Sequence, residues 1–209
     1  MKKKLNIFRG DNPIEIFNRW LKEATKTEIS DPNAISLATV DQNGLPNVRV
    51  VLLKFVEDDS FIFFTNFEST KGREIYNNNQ AAFVVHWKTL KRQIRVRGSL
   101  EKETGKITDD YFTTRDVQSK IGAWASNQSM KLSSEAELAK RNDDYRKFFG
   151  KNVPRPSHWG GFRLKPKEIE FWSDGQSRLH ERFQWKRDRF NQGENTDSDL
   201  PWEVCRLFP

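Results

Sequence analysis

The sequence predicts a mainly β fold with peripheral helices, closed as an antiparallel barrel or sandwich. Two observations carry this expectation. Short runs of β-branched and aromatic residues follow one another along most of the chain, joined by polar turns too short to hold a crossover helix. The helical periods fall between or outside those runs, without the regular strand–helix alternation of a parallel sheet.

Taken in order, Asn12 with Pro13 and Glu15 reads as a helix start: an N-cap, a proline in the first turn and a capping-box partner. Phe17, Trp20, Leu21 and Ala24 then recur at helical spacing and should face the core. From Ala34 the period becomes strand-like. Ile35–Val40, the turn Asp41-Gln42-Asn43-Gly44 and Val48–Val56 form a β-hairpin pattern. Phe61–Thr65 continues the sheet after a polar turn, and a short helix covers Lys71–Asn77. Strands follow at Ala81–Trp87 and Gln93–Glu101. Helical stretches come next at Asp109–Thr114 and from Ser134, paired with Glu137, to Phe149. The chain returns to strands at Glu168–Trp172, Glu181–Lys186 and Trp202–Leu207, with Asn191–Asp199 as a long hairpin loop.

With 209 residues the chain has room for one large domain or two small ones, and no linker divides it. Hydrophobic residues make up only 35%, so seven Trp and sixteen Phe must supply much of the core. That is lean for a self-sufficient monomer, and a subunit interface is expected to bury more apolar surface. The formal charge of +7 favours anionic partners: nucleic acid, acidic membrane or small phosphorylated molecules. A lone cysteine, Cys205, allows no internal disulfide, and no apolar run after Met1–Asn6 reads as a signal peptide. No stretch approaches the ~20 apolar residues of a membrane span. A cytoplasmic protein is the expectation.

Several familiar sites are absent. There is no G-x-G-x-x-G, no phosphate-binding G-x-x-x-x-G-K-[ST] and no G-x-S-x-G. His86, His158 and His180 are scattered without companions at ligand spacing, so no metal site is expected. What remains is basic and amide residues on strands and turns. Arg49 and Lys54 bracket an apolar strand on opposite faces, as solvated ends or as cations of two different subsites. Gln93, Arg95 and Arg97 share a face that reads as a wet sheet surface. Trp159-Gly160-Gly161 reads as a packing turn. Arg178, His180 and Arg182 fall on one strand face, which must meet water or an anion.

These segments stand together in a specific order: Arg49-Val50-Val51-Leu52-Leu53-Lys54, Phe64-Thr65-Asn66, Ser69-Thr70-Lys71-Gly72, Arg92-Gln93, Ser119-Lys120-Ile121-Gly122-Ala123-Trp124, Gln128-Ser129, Trp159-Gly160-Gly161, Glu170-Phe171-Trp172, Arg178-Leu179-His180-Glu181-Arg182 and Arg206-Leu207. From about Pro13 to Pro209 the chain thereby resembles the pyridoxamine 5′-phosphate oxidases. The resemblance implies an antiparallel FMN-binding split β-barrel, a single domain over residues 1–209 with a dimerisation and substrate-covering region at about 155–209. It implies a homodimer holding two flavins in clefts between subunits. Arg49, Val50, Leu52, Phe64, Thr65, Lys71 and Gln93 of one subunit would bind FMN with Gln128, Ser129, Trp172 and Arg182 of the other. Lys54, Tyr111, Arg115 and Ser119 would hold the substrate phosphate, and Arg178 and His180 of the partner would lie over the pyridine ring as the catalytic pair. The reaction implied is oxidation of pyridoxamine or pyridoxine 5′-phosphate to pyridoxal 5′-phosphate. A hydride passes from C4′ to flavin N5, and dioxygen regenerates the flavin with release of hydrogen peroxide, plus ammonia from the amine.

The chain departs from the family pattern at Thr70, where an arginine is usual, and at Thr113-Thr114-Arg115-Asp116, where His-Ser-Arg-Pro is usual. Those departures leave open a weakly active or non-catalytic B6-phosphate binder, and the barrel leaves open a flavin reductase. A single-strand nucleic-acid binder is the reading from a different class, resting on the charge and the Trp content. Against it, the Trp residues lie in segments that the oxidase resemblance already covers.

Overall fold

The computed structural model describes residues 7–57, 59–187 and 201–209. Eight strands form one antiparallel sheet: β1 (Ala34–Val40), β2 (Pro46–Glu57), β3 (Ser60–Asn66), β4 (Gln80–Trp87), β5 (Arg92–Glu103), β6 (Trp159–Ser173), β7 (Glu181–Lys186) and β8 (Glu203–Leu207). Their order is β3-β2-β1-β4-β5-β6-β7-β8, and a further β3–β6 pairing closes the first six into a barrel. Closure removes the exposed edges that an open sheet would leave along β3 and β6. β7 and β8 extend β6 outside the closed ring. Five helices surround it: α1 (Pro13–Thr27), α2 (Thr70–Asn77), α3 (Lys106–Thr114), α4 (Val117–Ala125) and α5 (Glu135–Phe149).

Asn12 caps α1 by accepting from the Ile14 N–H at 2.9 Å, and the apolar stripe that follows goes inside. Phe17, Trp20 and Ala24 are buried, while Leu21 packs at the margin of the core. Phe17 meets Phe61 edge-on at 4.9 Å, and Trp20 meets Phe171 at 5.2 Å. Aromatic rings from α1, β3, β4 and β6 thus fill a barrel that has few aliphatic side chains to spend. Ser134 caps α5 through the Glu137 N–H, but α5 buries no residue. Its aromatic side chains Tyr145 and Phe149 instead cluster with Trp124 of α4.

Two departures from the sequence reading have physical causes. The expected packing turn at Trp159-Gly160-Gly161 is the start of the long strand β6, paired with β3 from Asn66↔Trp159 to Phe61↔Leu164. Glycine is needed there because rings lie flat on the strand: a Cβ on Gly160 would stand 2.4 Å from Phe67 Cζ. The same strand also carries Pro166, which lies opposite Gly98 where the β5–β6 register shifts. Helix α4 falls where no helix was predicted, because its residues lack a clean apolar period; Asp116 starts it by accepting from the Ser119 N–H at 2.8 Å. The loop expected at Asn191–Asp199 lies outside the described residues.

Candidate active site

The structure gathers most of the singled-out residues into one cleft of about 700 Å³. β2 contributes Arg49, Val50, Val51, Leu52 and Lys54; β3 contributes Phe64 and Thr65; α2 contributes Lys71. Tyr111, Thr114, Arg115, Asp116 and Ser119 come from α3, α4 and the bend between them, Gln128 from the loop after α4, and Trp159 from β6. Residues of both β2 faces line this cleft, so Arg49 and Lys54, expected to serve different subsites, do so within a single cavity. The β2–β3 register shifts between Leu53 and Phe55, at Lys54 itself.

The cleft nevertheless has two distinct cationic ends. At the first, Arg49 and Lys71 stand over a buried carboxylate. Arg49 Nη2 pairs with Glu74 at 3.0 Å, and its Nη1 donates to the Leu37 carbonyl at 3.3 Å and to the Thr39 hydroxyl. Lys71 is buried, with Nζ 3.3 Å from both the Thr65 and Ser69 hydroxyls. Burial, helped by the neighbouring Arg49 charge and opposed by Glu74, holds the Lys71 pKa below the ordinary lysine value. A buried ammonium with only hydroxyl partners is unusual and suits an anionic ligand.

At the second end the cations sit on aromatic rings. Phe64, Tyr111 and Trp159 lie nearly parallel, 4.3 Å apart for Phe64–Tyr111 and 5.4 Å for Phe64–Trp159. Lys54 lies 5.8 Å from the Tyr111 ring centre, and the Arg115 guanidinium 4.7 Å from that of Trp159. Burial draws the Arg115 pKa down, against the pull of Tyr111 and Asp116. Its Nη1 is buried without a hydrogen-bond partner among the described residues. An orphaned guanidinium donor beside Lys54 fits a phosphate oxygen, so both ends of the cleft carry what phosphate ligands require. Trp159 was not a candidate from sequence, and neither were Glu74, Thr39 and Asn47. Only the Trp-Gly-Gly string signalled the first; nothing local signalled the others.

The remaining candidates lie elsewhere. Gln93, Trp172 and Arg182 stand abreast on β5, β6 and β7, paired Gln93↔Trp172 and Trp172↔Arg182. None of them lines the cleft. Arg182 donates to the buried Glu170 at 2.9 Å and to the Phe208 carbonyl at 2.9 Å, and the Glu170 bond raises its pKa further. Arg178, His180 and Arg182 do not share a strand face. Arg178 sits in a tight turn with φ of 63° after Ser177 at 55°, and β7 begins only at Glu181. The turn closes tightly at Gly175, where a Cβ would stand 1.8 Å from the Leu179 carbonyl oxygen. His180 instead packs 4.6 Å from the Trp172 ring, with Nδ1 3.3 Å from Asp174. Gln128 lines the cleft with Arg49 and Lys71 and meets the Thr65 hydroxyl at 3.4 Å, whereas Gln93 belongs with the Trp172 row. Ser129, with φ of 70°, lines a smaller cavity next to it.

A closed six-strand antiparallel barrel of this kind is the split-barrel fold, whose solved members include FMN-binding proteins. Among the solved structures that match it are these two. PhzG from Burkholderia lata, solved in complex with tetrahydrophenazine-1-carboxylic acid, superposes with a TM-score of 0.86 at 29% identity, over 96% of this chain and 94% of that one. A pyridoxamine 5′-phosphate oxidase-related, FMN-binding protein from Nostoc punctiforme shares the fold, with a TM-score of 0.72 at 14% identity over 96% of this chain and 100% of that one. A family model described as pyridoxamine 5′-phosphate oxidase matches residues 21–173, and one described as the pyridoxine 5′-phosphate oxidase C-terminal dimerisation region matches residues 159–209. The chain is 50% identical to the pyridoxine/pyridoxamine 5′-phosphate oxidase of Ruegeria sp. and 51% identical to that of Roseobacter denitrificans, in each case over 100% of both proteins. The chain belongs to the pyridoxamine 5′-phosphate oxidase family and is an oxidase of that family.

Proposed function

We propose that this protein is a homodimeric, FMN-dependent oxidase that converts pyridoxamine 5′-phosphate or pyridoxine 5′-phosphate to pyridoxal 5′-phosphate in the cytoplasm. The single observation that carries this reading is the pair of cationic ends in one cleft: Arg49 with Lys71, and Lys54 with Arg115, whose Nη1 has no partner among the described residues, on near-parallel rings. FMN and the B6 ester each bring one phosphate, and each end suits one of them. Arg49 and Lys71 take the flavin phosphate, while Val50, Leu52, Phe64, Thr65, Gln128 and Ser129 surround the rest of the cofactor. Lys54, Tyr111, Arg115 and Ser119 hold the substrate phosphate.

Bound FMN supplies the hydride-accepting chemistry, with dioxygen as the final oxidant, so the chain needs no nucleophile of its own. Its residues bind and orient. Gln93, Trp172, Arg182, Arg178 and His180 lie outside the cleft of their own protomer, which supports their entry into the cleft of a second copy. The match to a dimerisation region over residues 159–209 supports the same arrangement. So do Val48 and Val50, apolar and 65% exposed on the outer face of β2. No helix among the described residues is long and apolar enough to cross a membrane.

The test is hydrogen peroxide release from the FMN-loaded protein with pyridoxamine 5′-phosphate and pyridoxine 5′-phosphate assayed side by side. Release with at least one ester, accompanied by pyridoxal 5′-phosphate, is the expected result. A protein that takes up FMN yet oxidises neither would overturn the reading in favour of a non-catalytic binder.

A further inference from the structure

We infer that Glu74 is a positioning residue for the flavin phosphate: it holds Arg49 in the orientation that receives the anion, although it carries the same sign of charge as the ligand. The inference rests on the reading that Arg49 and Lys71 bind the phosphate of FMN.

Glu74 is buried on α2, 7% exposed, against the inner face of the β1–β2 pair. The register places Thr39 opposite Asn47 and Leu37 opposite Arg49, so these four residues share one face. All three polar ones converge on the Glu74 carboxylate. Asn47 Nδ2 donates to Oε1 at 2.9 Å, Arg49 Nη2 donates to Oε2 at 3.0 Å, and the Thr39 hydroxyl donates to Oε2. Thr39 in turn accepts from Arg49 Nη1. Three of the five guanidinium N–H groups are thereby directed at Glu74, Thr39 and the Leu37 carbonyl. The other two are left for a ligand in the cleft that Arg49 lines.

Two effects oppose each other. A carboxylate near a phosphate site repels the ligand. It also removes the freedom of an arginine that would otherwise have to be ordered when the phosphate arrives. Arg49 and Lys71 without Glu74 would also be a half-buried and a buried cation repelling each other, and Arg49 already depresses the Lys71 pKa. Arg49 lines the cleft and Glu74, paired with it from behind the lining, does not, so orientation is expected to outweigh repulsion.

Affinities of the apoprotein for FMN and for riboflavin, measured by quenching of flavin fluorescence, separate these effects because only FMN has the phosphate. Glu74→Gln keeps the shape but turns an amide N–H toward at least one existing donor. It should weaken FMN binding by about tenfold or more while riboflavin affinity, measured well below the melting temperature of the variant, stays close to wild type. Asn47→Ala, at an exposed position, removes one restraint without touching the core and should give a smaller loss, also confined to FMN. Should Glu74→Gln not fold, the Asn47→Ala result decides. Unchanged or tighter FMN binding in the folded variants would overturn the inference, since repulsion would then dominate. A parallel loss for FMN and riboflavin would overturn it too, as a general structural effect. If the wild-type protein binds FMN no better than riboflavin, the phosphate assignment itself fails and the inference goes with it.

Discussion

The Arg115 guanidinium lies 4.7 Å from the centre of the Trp159 ring, and its Nη1 is buried without a partner among the described residues. The ring packs against the guanidinium, and the unpartnered donor is one that a ligand in the cleft would satisfy. Arg115→Ala and Lys54→Ala should each raise KM for the B6 ester about tenfold or more, the usual worth of a charge-assisted contact. Trp159→Leu removes the platform but not the charge, and should raise KM by a smaller factor, about threefold to tenfold. In all three, FMN affinity should stay close to wild type. Steady-state kinetics with a flavin titration of each variant checks this; release of FMN at normal KM would mean that the two ends of the cleft are assigned the wrong way round.

Lys71 gives the FMN site a pH dependence. Burial and Arg49 lower its folded-state pKa below the ordinary lysine value, and only the protonated form attracts the phosphate. FMN affinity should therefore fall as pH rises through that lowered pKa, earlier than for an ordinary lysine. Lys71→Arg should remove this alkaline loss, because a guanidinium stays charged throughout. Flavin titrations across alkaline pH, with riboflavin as the phosphate-free control, give the result.

Glu74 contributes a dependence of the opposite sense to stability. Burial pushes its pKa up, but the bonds from Thr39, Asn47 and Arg49 outweigh burial and leave it below the usual carboxylate value. A depressed pKa means that stability is present above the unfolded-state value and lost as pH falls through the folded-state one. The melting temperature of wild-type apoprotein should drop more steeply in acid than that of Glu74→Gln. Parallel acid curves for the two would show that the carboxylate contributes nothing through its charge.

Gly98 tests the β5–β6 register. A Cβ there would stand 2.0 Å from the Lys165 carbonyl oxygen, beside Pro166. Backbone cannot retreat as a side chain can, so Gly98→Ala should destabilise by at least the ~1–3 kcal/mol of ordinary overpacking. Chemical denaturation measures it, and a neutral substitution would show that the register can slide.

The shared site can be tested by complementation. Lys54 lines the cleft and Arg178 does not. If Arg178 serves the partner's cleft, a mixed dimer of Lys54→Ala and Arg178→Ala has one site with both defects and one with neither. Refolding the two inactive variants together makes about half the dimers mixed, so about a quarter of wild-type activity should return. Differentially tagged mixed dimers no more active than their parents would place both residues in one protomer's site.

The sequence by itself determined most of the strands, the caps of α1 and α5 and, through its family resemblance, many of the residues that line the cleft. These signals are local: alternation along β1 to β5, Asn12-Pro13 before an apolar stripe, and basic residues at fixed places in recognisable strings. Tertiary structure decided what local pattern cannot carry. Glycine is punctuation in a sequence, so Gly160 and Gly161 read as a turn until the rings of Phe67 and Phe64 are seen filling the space of the missing Cβ atoms. Strand alternation read Arg178, His180 and Arg182 as one face, and the positive φ angles at Ser177 and Arg178 break it. Glu74 is legible only as a helix residue, because its partners Thr39, Asn47 and Arg49 come from two strands 25 or more positions upstream. Their meeting depends on the β1–β2 register and on how α2 docks, and both are set by packing of the whole barrel.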